Sequence, residues 1–247
     1  MKFLICNDDG YEGRGLHILV KALAKYGECY VVVPDRERSC SSMSTNLHDD
    51  IFIEEVQIEG AVKAYKCTGL PTDCCKVGLE LYKDVDIVFS GINSGNNMGS
   101  DILYSGTVGA VTEALLAHYK NVAISTDYKN FEMAEREIDD ILKYILVDHF
   151  DLIHEDYVLN INFPSKVYEK SKGIKVAYMG RRLFKYYYEF DENNPGKLTP
   201  KSYLVESGSD EGSDCYYHGL GYTTSAPIGL DRTNYKVYNE MLERCKK

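Results

Sequence analysis

Apolar positions along the first two-thirds of the chain alternate between two patterns. Short runs typical of strands lie at 2–6, 29–33, 51–58, 62–67, 86–89, 122–125 and 158–162. Between them, helical segments are predicted at about 12–26, 71–82, 107–118 and 132–149; in the first, Leu16, Leu19, Val20 and Leu23 recur at i, i+3, i+4 and i+7. Apolar strands that alternate with helices predict an α/β fold, a mostly parallel sheet with helices on both faces.

The pattern changes after Pro164. Residues 174–206 carry short β-like runs rich in tyrosine, and Asn193-Asn194-Pro195-Gly196 predicts a turn between two of them. We expect a mobile surface loop at 207–214 and a last helix from about 234 to 247. We therefore predict an α/β core at 1–165 and a C-terminal β arm with a helix at 166–247. The arm is too thin to bury its own core, so its tyrosines are predicted to pack against a partner subunit.

Charge and composition narrow the functional classes. The 247 residues carry a formal net charge of −10, which argues against a nucleic-acid-binding protein. No apolar run reaches the roughly 18 residues that a membrane span needs, and the N-terminus has no targeting pattern, so we expect a cytoplasmic protein. The eight cysteines include no Cys-x-x-Cys pair, which favours reduced structural thiols over a zinc site.

Polar side chains cluster where predicted strands end. Ligands of parallel sheets bind beyond the carboxyl ends of the strands, so the loops 7–10, 35–44 and 90–106 are expected to be neighbours. Asp8 and Asp9 follow the first strand, and two adjacent carboxylates with oxygen-only chemistry suit a hard cation such as Mg²⁺ or Mn²⁺. The alternative at this position is an ordinary solvated turn.

The other two loops offer ligands for a cation or a phosphate. The second carries the Ser39 hydroxyl with Arg36 and Arg38, which would bind phosphate or pair with acids in their own loop. The third carries Asn93, a neutral oxygen ligand. The helix that follows begins near Ser105 and Thr107, where free N–H groups favour phosphate; an ordinary helix cap is the alternative.

Two other reaction classes fit less well or remain open. The glycines after the first strand, Gly10, Gly13 and Gly15, have the wrong spacing for a dinucleotide fingerprint, and two acids precede them, so an oxidoreductase is disfavoured. A phosphatase that uses Asp8 as a covalent nucleophile remains chemically open. A metal that activates water fits two carboxylates with Ser and Asn better than the covalent mechanism does.

Together these motifs resemble the SurE (survival protein E) nucleotidase family. The resemblance is close over 1–165 and looser over 219–247. It rests on Asn7-Asp8-Asp9-Gly10, Pro34-Asp35-Arg36-x-Arg38-Ser39, Thr68-Gly69-x-Pro71-x-Asp73-Cys74, Ser90-Gly91-Ile92-Asn93-x-Gly95-x-Asn97, Tyr104-Ser105-Gly106-Thr107-Val108, Leu159-Asn160-Ile161-Asn162-Phe163-Pro164 and Gly221-Tyr222-Thr223-Thr224-Ser225-Ala226-Pro227.

The resemblance implies a Rossmann-like core and a metal-dependent phosphatase acting on nucleoside 5′- and 3′-monophosphates, with possible activity on short polyphosphate. It implies one divalent cation per subunit, Mg²⁺ or Mn²⁺, and a homodimer or homotetramer formed through the C-terminal arm. The implied metal ligands are Asp8, Asp9, Ser39 and Asn93, and the implied phosphate-binding residues are Asn97, Ser105, Gly106 and Thr107.

Two residues depart from the family pattern. Asn96 stands where the family usually has proline, and Met43 replaces a commonly polar residue. The expected mechanism is attack by water, with Asp8 or Asp9 orienting or deprotonating it. A nucleotide-binding module without turnover is the alternative function, against which the acidic pair argues. For the tyrosines of the arm, stacking on a base is the alternative to packing at a subunit interface.

Overall fold

The computed structural model of the chain describes residues 1–165, 167–208 and 210–245. Its main feature is a nine-stranded sheet with the strand order β3-β4-β2-β1-β5-β6-β7-β11-β8. Only the β3–β4 and β7–β11 pairs of this sheet are antiparallel. The strands are β1 (Lys2–Cys6), β2 (Glu28–Pro34), β3 (Ile53–Val56), β4 (Ala61–Cys67), β5 (Ile87–Ser94), β6 (Lys120–Thr126), β7 (Val158–Asn162), β8 (Ile174–Val176) and β11 (Thr223–Ile228).

Helices cover both faces of this sheet, as the α/β pattern predicts. They are α1 (Arg14–Leu23), α2 (Pro71–Leu81), α3 (Gly106–Leu116), α4 (Glu132–Lys143), α5 (Asp214–Gly219) and α6 (Tyr235–Cys245). A π-helical turn, Tyr144–Asp148, extends α4, and 3₁₀ turns occur at Gly99–Leu103 and Phe150–Leu152. No helix within the described residues is long and apolar enough to cross a membrane.

The central strand β1 shows why both faces are covered. Its successive side chains point to opposite faces, and all four of Phe3, Leu4, Ile5 and Cys6 are buried. Phe3 and Ile5 join the core formed with α1 and α4, whereas Leu4 and Cys6 join the core formed with α2 and α3. A strand with four consecutive apolar residues therefore needs a helical layer on each side.

The C-terminal residues form an arm and also complete the sheet. Strands β9 (Arg182–Phe190) and β10 (Leu198–Ser207) form a separate antiparallel hairpin, and the predicted turn at 193–196 connects them. The described residues of α6 are all exposed. Strands β8 and β11 instead extend the main sheet beyond β7. Two predicted boundaries, at Lys166 and Lys247, fall on residues outside the described ranges.

The sequence patterns were wrong at three places for physical reasons. Strand β5 does not end at Phe89 but continues to Ser94, because Asn93 and Ser94 still pair with β6. Strand β11 was missed, since its polar threonines and serine do not form an apolar run. The predicted surface loop 207–214 ends with Asp214 fully buried, because buried backbone N–H groups satisfy its carboxylate.

Candidate metal and phosphate site

The three predicted loops meet where the strand order reverses. Strands β2 and β5 lie on either side of β1 and run parallel to it, so their carboxyl ends share one edge. The backbone N–H of Arg38 donates to the Asp8 carbonyl at 2.7 Å, and the N–H of Ser94 donates to an Asp9 carboxylate oxygen at 2.9 Å. These two bonds join the loops after β2 and β5 to the loop after β1.

A tight turn holds the two carboxylates beyond the strand. The Asn7 side chain donates to the Gly10 carbonyl at 2.8 Å and accepts the Gly10 N–H at 3.2 Å. Gly10 has a φ of +84°, and a Cβ at this position would lie 2.9 Å from the Arg36 carbonyl carbon. Only glycine suits both the left-handed backbone and this close approach.

Asp8 is buried and tightly enclosed. The Thr107 hydroxyl donates to its carboxylate, and a Cβ added at Gly106 would lie 2.9 Å from the Asp8 Cβ. Burial, which disfavours the charged form, is the main cause that raises the pKa of Asp8 from 3.8 to about 7; the hydrogen bond from Thr107 lowers it, and the charge of Asp9 raises it.

Asp9 and Ser39 lie beside another acid. Burial is also the main cause that raises the pKa of Asp9; the Ser94 N–H lowers it, and the charge of Glu37 raises it. The Ser39 hydroxyl donates to the Glu37 carboxylate at 2.7 Å. This bond uses the hydroxyl proton and leaves the oxygen lone pairs of Ser39 available to a cation.

The asparagines of the third loop are fixed by their amide groups. The Asn93 side-chain NH₂ donates to the Gly95 carbonyl at 2.6 Å, which leaves the Asn93 Oδ1 as its available ligand atom. Asn97 donates its side-chain NH₂ to the Ser125 hydroxyl at 2.8 Å. Its backbone is held by Asn160 and Asn162, whose side chains both donate to the Asn97 carbonyl.

One pocket of about 280 Å³ collects most of the predicted site residues. Five of the eight line it directly: Asp8, Ser39, Asn93, Asn97 and Ser105. Asp9, Gly106 and Thr107 do not line it. Gly106 and Thr107 pack against Asp8, and Ser105 is the N-cap of α3, with its hydroxyl accepting the Val108 N–H at 3.1 Å.

The arginines of the second loop lie elsewhere. The Arg38 guanidinium donates to the Asp35 carboxylate at 3.1 Å and to the Thr68 carbonyl at 3.0 Å. Arg36 and Arg38 line a different pocket, together with Thr68. The internal ion pair, rather than a phosphate contact, is therefore the observed role of Arg38.

Several residues of the pocket did not emerge from the sequence patterns as site residues. Asp101 and Tyr104 come from the 3₁₀ turn and its end, and Phe184, Tyr186 and Ser202 come from the hairpin. The aromatic run in the hairpin was visible in the sequence. Its position over the site depends on tertiary contacts, which no local pattern encodes.

The donor set fits a hard divalent cation. Among the described residues there is no group of three or more His, Cys, Asp or Glu side chains arranged to hold a metal. Two carboxylates, one hydroxyl and one amide oxygen suit Mg²⁺ or Mn²⁺. The pKa values of both Asp8 and Asp9 are raised by burial, and a divalent cation would relieve this concentrated negative charge.

The chain is similar to known proteins in both sequence and fold. A family model described as "Survival protein SurE" matches residues 3–186. "5′-Nucleotidase SurE" of Clostridium botulinum (strain Eklund 17B / Type B) is 37% identical over 98% of both chains, and that of Clostridium beijerinckii is 35% identical over 100% of both. The crystal structure of the SurE protein from Aquifex aeolicus superposes with a TM-score of 0.77 at 33% identity, covering 97% of this chain and 98% of that one.

Proposed function

Because the chain belongs to the SurE family, we propose that it is a divalent-metal-dependent phosphomonoesterase that releases phosphate from nucleoside 5′-monophosphates. The observation that carries this proposal is the burial of Asp8 beside Asp9 in a pocket that also contains Ser39 and Asn93. A protein that only bound phosphate would gain nothing from a buried carboxylate that faces its anionic ligand, with a second carboxylate next to it in the chain.

The residues that would hold the cation are Asp8, Asp9, Ser39 and Asn93. Mg²⁺ or Mn²⁺, one per subunit, would supply the positive charge that offsets the charge of the phosphoryl group during transfer. The hydrogen bonds from Thr107 to Asp8 and from Ser94 to Asp9 hold both carboxylates in place before substrate arrives.

Asp8 is the carboxylate placed to orient the attacking water. It lines the pocket whereas Asp9 does not, so its carboxylate can reach a water molecule beside the phosphoryl group. Water would add to phosphorus as the bond to the nucleoside oxygen breaks, and Asp8 would take one proton from that water. The nucleoside oxygen would leave with a proton from solvent, to which Asp8 would then release its own.

In the covalent alternative, an Asp8 oxygen itself bonds to phosphorus, and water later releases the phosphate. This route predicts an acid-stable, alkali-labile phosphoprotein after rapid quenching with labelled substrate. The water route predicts no such species.

The phosphate itself would lie between the third loop and the start of α3. Asn97 and Ser105 line the pocket, and Gly106 follows at the first turn of α3, where N–H groups and the helix dipole favour an anion. The Thr107 hydroxyl is engaged by Asp8, so we expect Thr107 to act on the phosphate through that carboxylate.

We also expect a homodimer or homotetramer in the cytoplasm. Helix α6 buries none of its described residues and exposes Tyr235, Val237, Tyr238 and Met241, which supports packing against another subunit. All eight cysteines are free, and six are buried, in keeping with a reducing compartment. Light scattering on the full chain measures the oligomeric state.

The decisive experiment is phosphate release from nucleoside 5′- and 3′-monophosphates and short polyphosphate, each with Mg²⁺, Mn²⁺ or EDTA. We expect release from 5′-monophosphates that EDTA abolishes and that Asp8→Asn lowers by several orders of magnitude. Asp84→Asn, an exposed acid bonded to Lys2, is the control and should retain activity. Near-normal turnover by folded Asp8→Asn would refute the assignment, and no release with any metal would favour a binding module.

A further inference from the structure

We propose that Tyr104, Phe184 and Tyr186 form the nucleobase-binding wall of this site, so that the hairpin of β9 and β10 selects nucleotides over other phosphate esters. The inference rests on the proposed function, since it assigns the part of the substrate that is not phosphate. The sequence-based expectation favoured a subunit interface for the tyrosines of the arm and kept stacking on a base as the alternative.

The three rings lie in the same pocket as the candidate metal ligands. Tyr104, Phe184 and Tyr186 line it together with Asp8 and Asn93. Tyr104 is 55% exposed and Tyr186 is 61% exposed, so both rings present free surface. The rings of Phe184 and Tyr186 have centroids 6.4 Å apart. The other residues of the pocket are mostly polar. The aromatic rings form one wall of it, and no described residue covers that wall fully.

An ion pair fixes the base of the hairpin beside the pocket. The Arg182 guanidinium donates to the Asp101 carboxylate at 2.7 Å, and both side chains are about three-quarters buried, at 24% and 23% exposed. The same guanidinium lies 5.1 Å from the centre of the Phe184 ring. The ion pair and the stacked cation orient Phe184 toward the pocket before any ligand binds.

A buried carboxylate adds a second tie between the hairpin and the third loop. Asp214 is fully buried and accepts the Gly99 N–H at 2.9 Å and the Gly180 N–H at 2.8 Å. Gly99 begins the 3₁₀ turn that leads to Tyr104, and Gly180 immediately precedes the hairpin. The spacing between Tyr104 and the hairpin rings is therefore set by the fold.

A nucleobase is the ligand group that this wall suits. Bases stack on aromatic side chains through their π-faces, with a contribution of about 1–3 kcal/mol per base that depends little on which base it is. A volume of about 280 Å³ lies just below the range of small-molecule pockets, which starts at about 300 Å³, so the pocket suits a ligand as small as one mononucleotide. The Ser202 hydroxyl, which pairs across the hairpin with Tyr186, can bond a base edge.

The opposite face of the hairpin supplies a matched control. Successive side chains of a strand point to opposite faces, so Tyr187 points away from the pocket that Tyr186 lines. The Tyr187 ring contacts Tyr203 instead, with centroids 6.2 Å apart. Tyr187 and Tyr203 thus stay available for a subunit interface while Phe184 and Tyr186 face the substrate.

The first test compares AMP with ribose 5-phosphate, which has the same phosphate and sugar but no base. We compare the ratio of kcat/KM for AMP to kcat/KM for ribose 5-phosphate. In Tyr186→Ala this ratio should be lower than in the wild type by a factor of about 5 to 150, which corresponds to a loss of about 1–3 kcal/mol of stacking. Tyr187→Ala should leave this ratio within about twofold of the wild type. An equal ratio in wild type and Tyr186→Ala would overturn the proposal.

The second test does not depend on turnover. The chain contains no tryptophan, so Tyr186→Trp and Tyr187→Trp each introduce a single fluorescent reporter. With Mg²⁺ present, AMP should quench the fluorescence of Tyr186→Trp, whereas ribose 5-phosphate should not. Neither compound should quench Tyr187→Trp. Equal responses to AMP from both variants, or none from Tyr186→Trp, would overturn the proposal.

The two proposals fail separately. A wild type that hydrolyses AMP and ribose 5-phosphate, with a ratio that Tyr186→Ala does not change, would refute the base wall and keep the phosphatase. A wild type that hydrolyses neither, while AMP quenches Tyr186→Trp, would refute the phosphatase and keep the base wall.

Discussion

Replacing Asp8 by asparagine should stabilise the metal-free protein while it abolishes activity. Asp8 is 4% exposed, and its pKa is raised from 3.8 to about 7. A raised pKa means that the folded state binds the proton more tightly than the unfolded state, so stability falls as the pH rises from about 4 to 7. Asparagine has nearly the same shape, carries no charge and can still accept the Thr107 hydroxyl proton.

The magnitude follows from the size of the pKa shift. A shift of about three units corresponds to about 4 kcal/mol of cost to the folded wild type at pH 8, and to about 2 kcal/mol at pH 5. One weakened hydrogen bond to Thr107 would offset about 1 kcal/mol at both pH values. We therefore expect Asp8→Asn to exceed the wild type by about 3 kcal/mol at pH 8 and by about 1 kcal/mol at pH 5.

Urea unfolding in EDTA, followed by circular dichroism at both pH values, measures this difference in the free energy of unfolding. Saturating Mg²⁺ should reduce the difference in the free energy of unfolding between Asp8→Asn and the wild type, because only the wild type gains stability from a tightly bound cation. Asp84→Asn should show no gain at either pH. The reasoning is refuted if the advantage of Asp8→Asn does not grow between pH 5 and pH 8, or if the variant is less stable than the wild type in EDTA.

Three further predictions concern the surroundings of Asp8. Gly106→Ala should cost about 1–3 kcal/mol in urea unfolding and lower kcat, because the new methyl group would lie 2.9 Å from the Asp8 Cβ. Asn93→Ala should raise the Mg²⁺ concentration for half-maximal activity by about tenfold or more, and should cost about 1 kcal/mol of stability in EDTA through the lost bond to the Gly95 carbonyl. Ser105→Ala should cost about 1 kcal/mol of stability, because it removes the acceptor of the Val108 N–H. Ser105→Asp should restore this stability but not phosphate release, because the aspartate charge repels the phosphate.

The sheet and the chemistry of its edge could be predicted because they depend on local patterns. Strand β1 is apolar at four consecutive positions after Lys2, so both its boundaries and its double-sided burial were predictable. The loop after β1 carries Asp8 and Asp9. The rule for ligand sites in parallel sheets predicts that they lie beside Ser39 and Asn93. In the structure, Asp8, Ser39 and Asn93 line one pocket.

The rest depends on contacts between distant residues. Asp214 looked like part of a solvated loop, because its sequence neighbours are polar; its burial depends on the N–H groups of Gly99 and Gly180, which are far from it in the chain. In the same way, β11 becomes a strand through pairing with β7 rather than through its own apolar content. The aromatic run of β9 gave no indication of which ring faces the pocket.

The late position of β11 in the chain affects how the protein emerges from the ribosome. Every residue of β7 is buried in the finished fold, yet one edge of β7 waits for residues 223–228, which are synthesised more than sixty positions later. During that interval the nascent chain presents an open strand edge, whose unpaired backbone groups are a template for pairing with other chains. A polypeptide terminated before residue 223 would keep this edge permanently, so premature termination should yield aggregates rather than a smaller working enzyme.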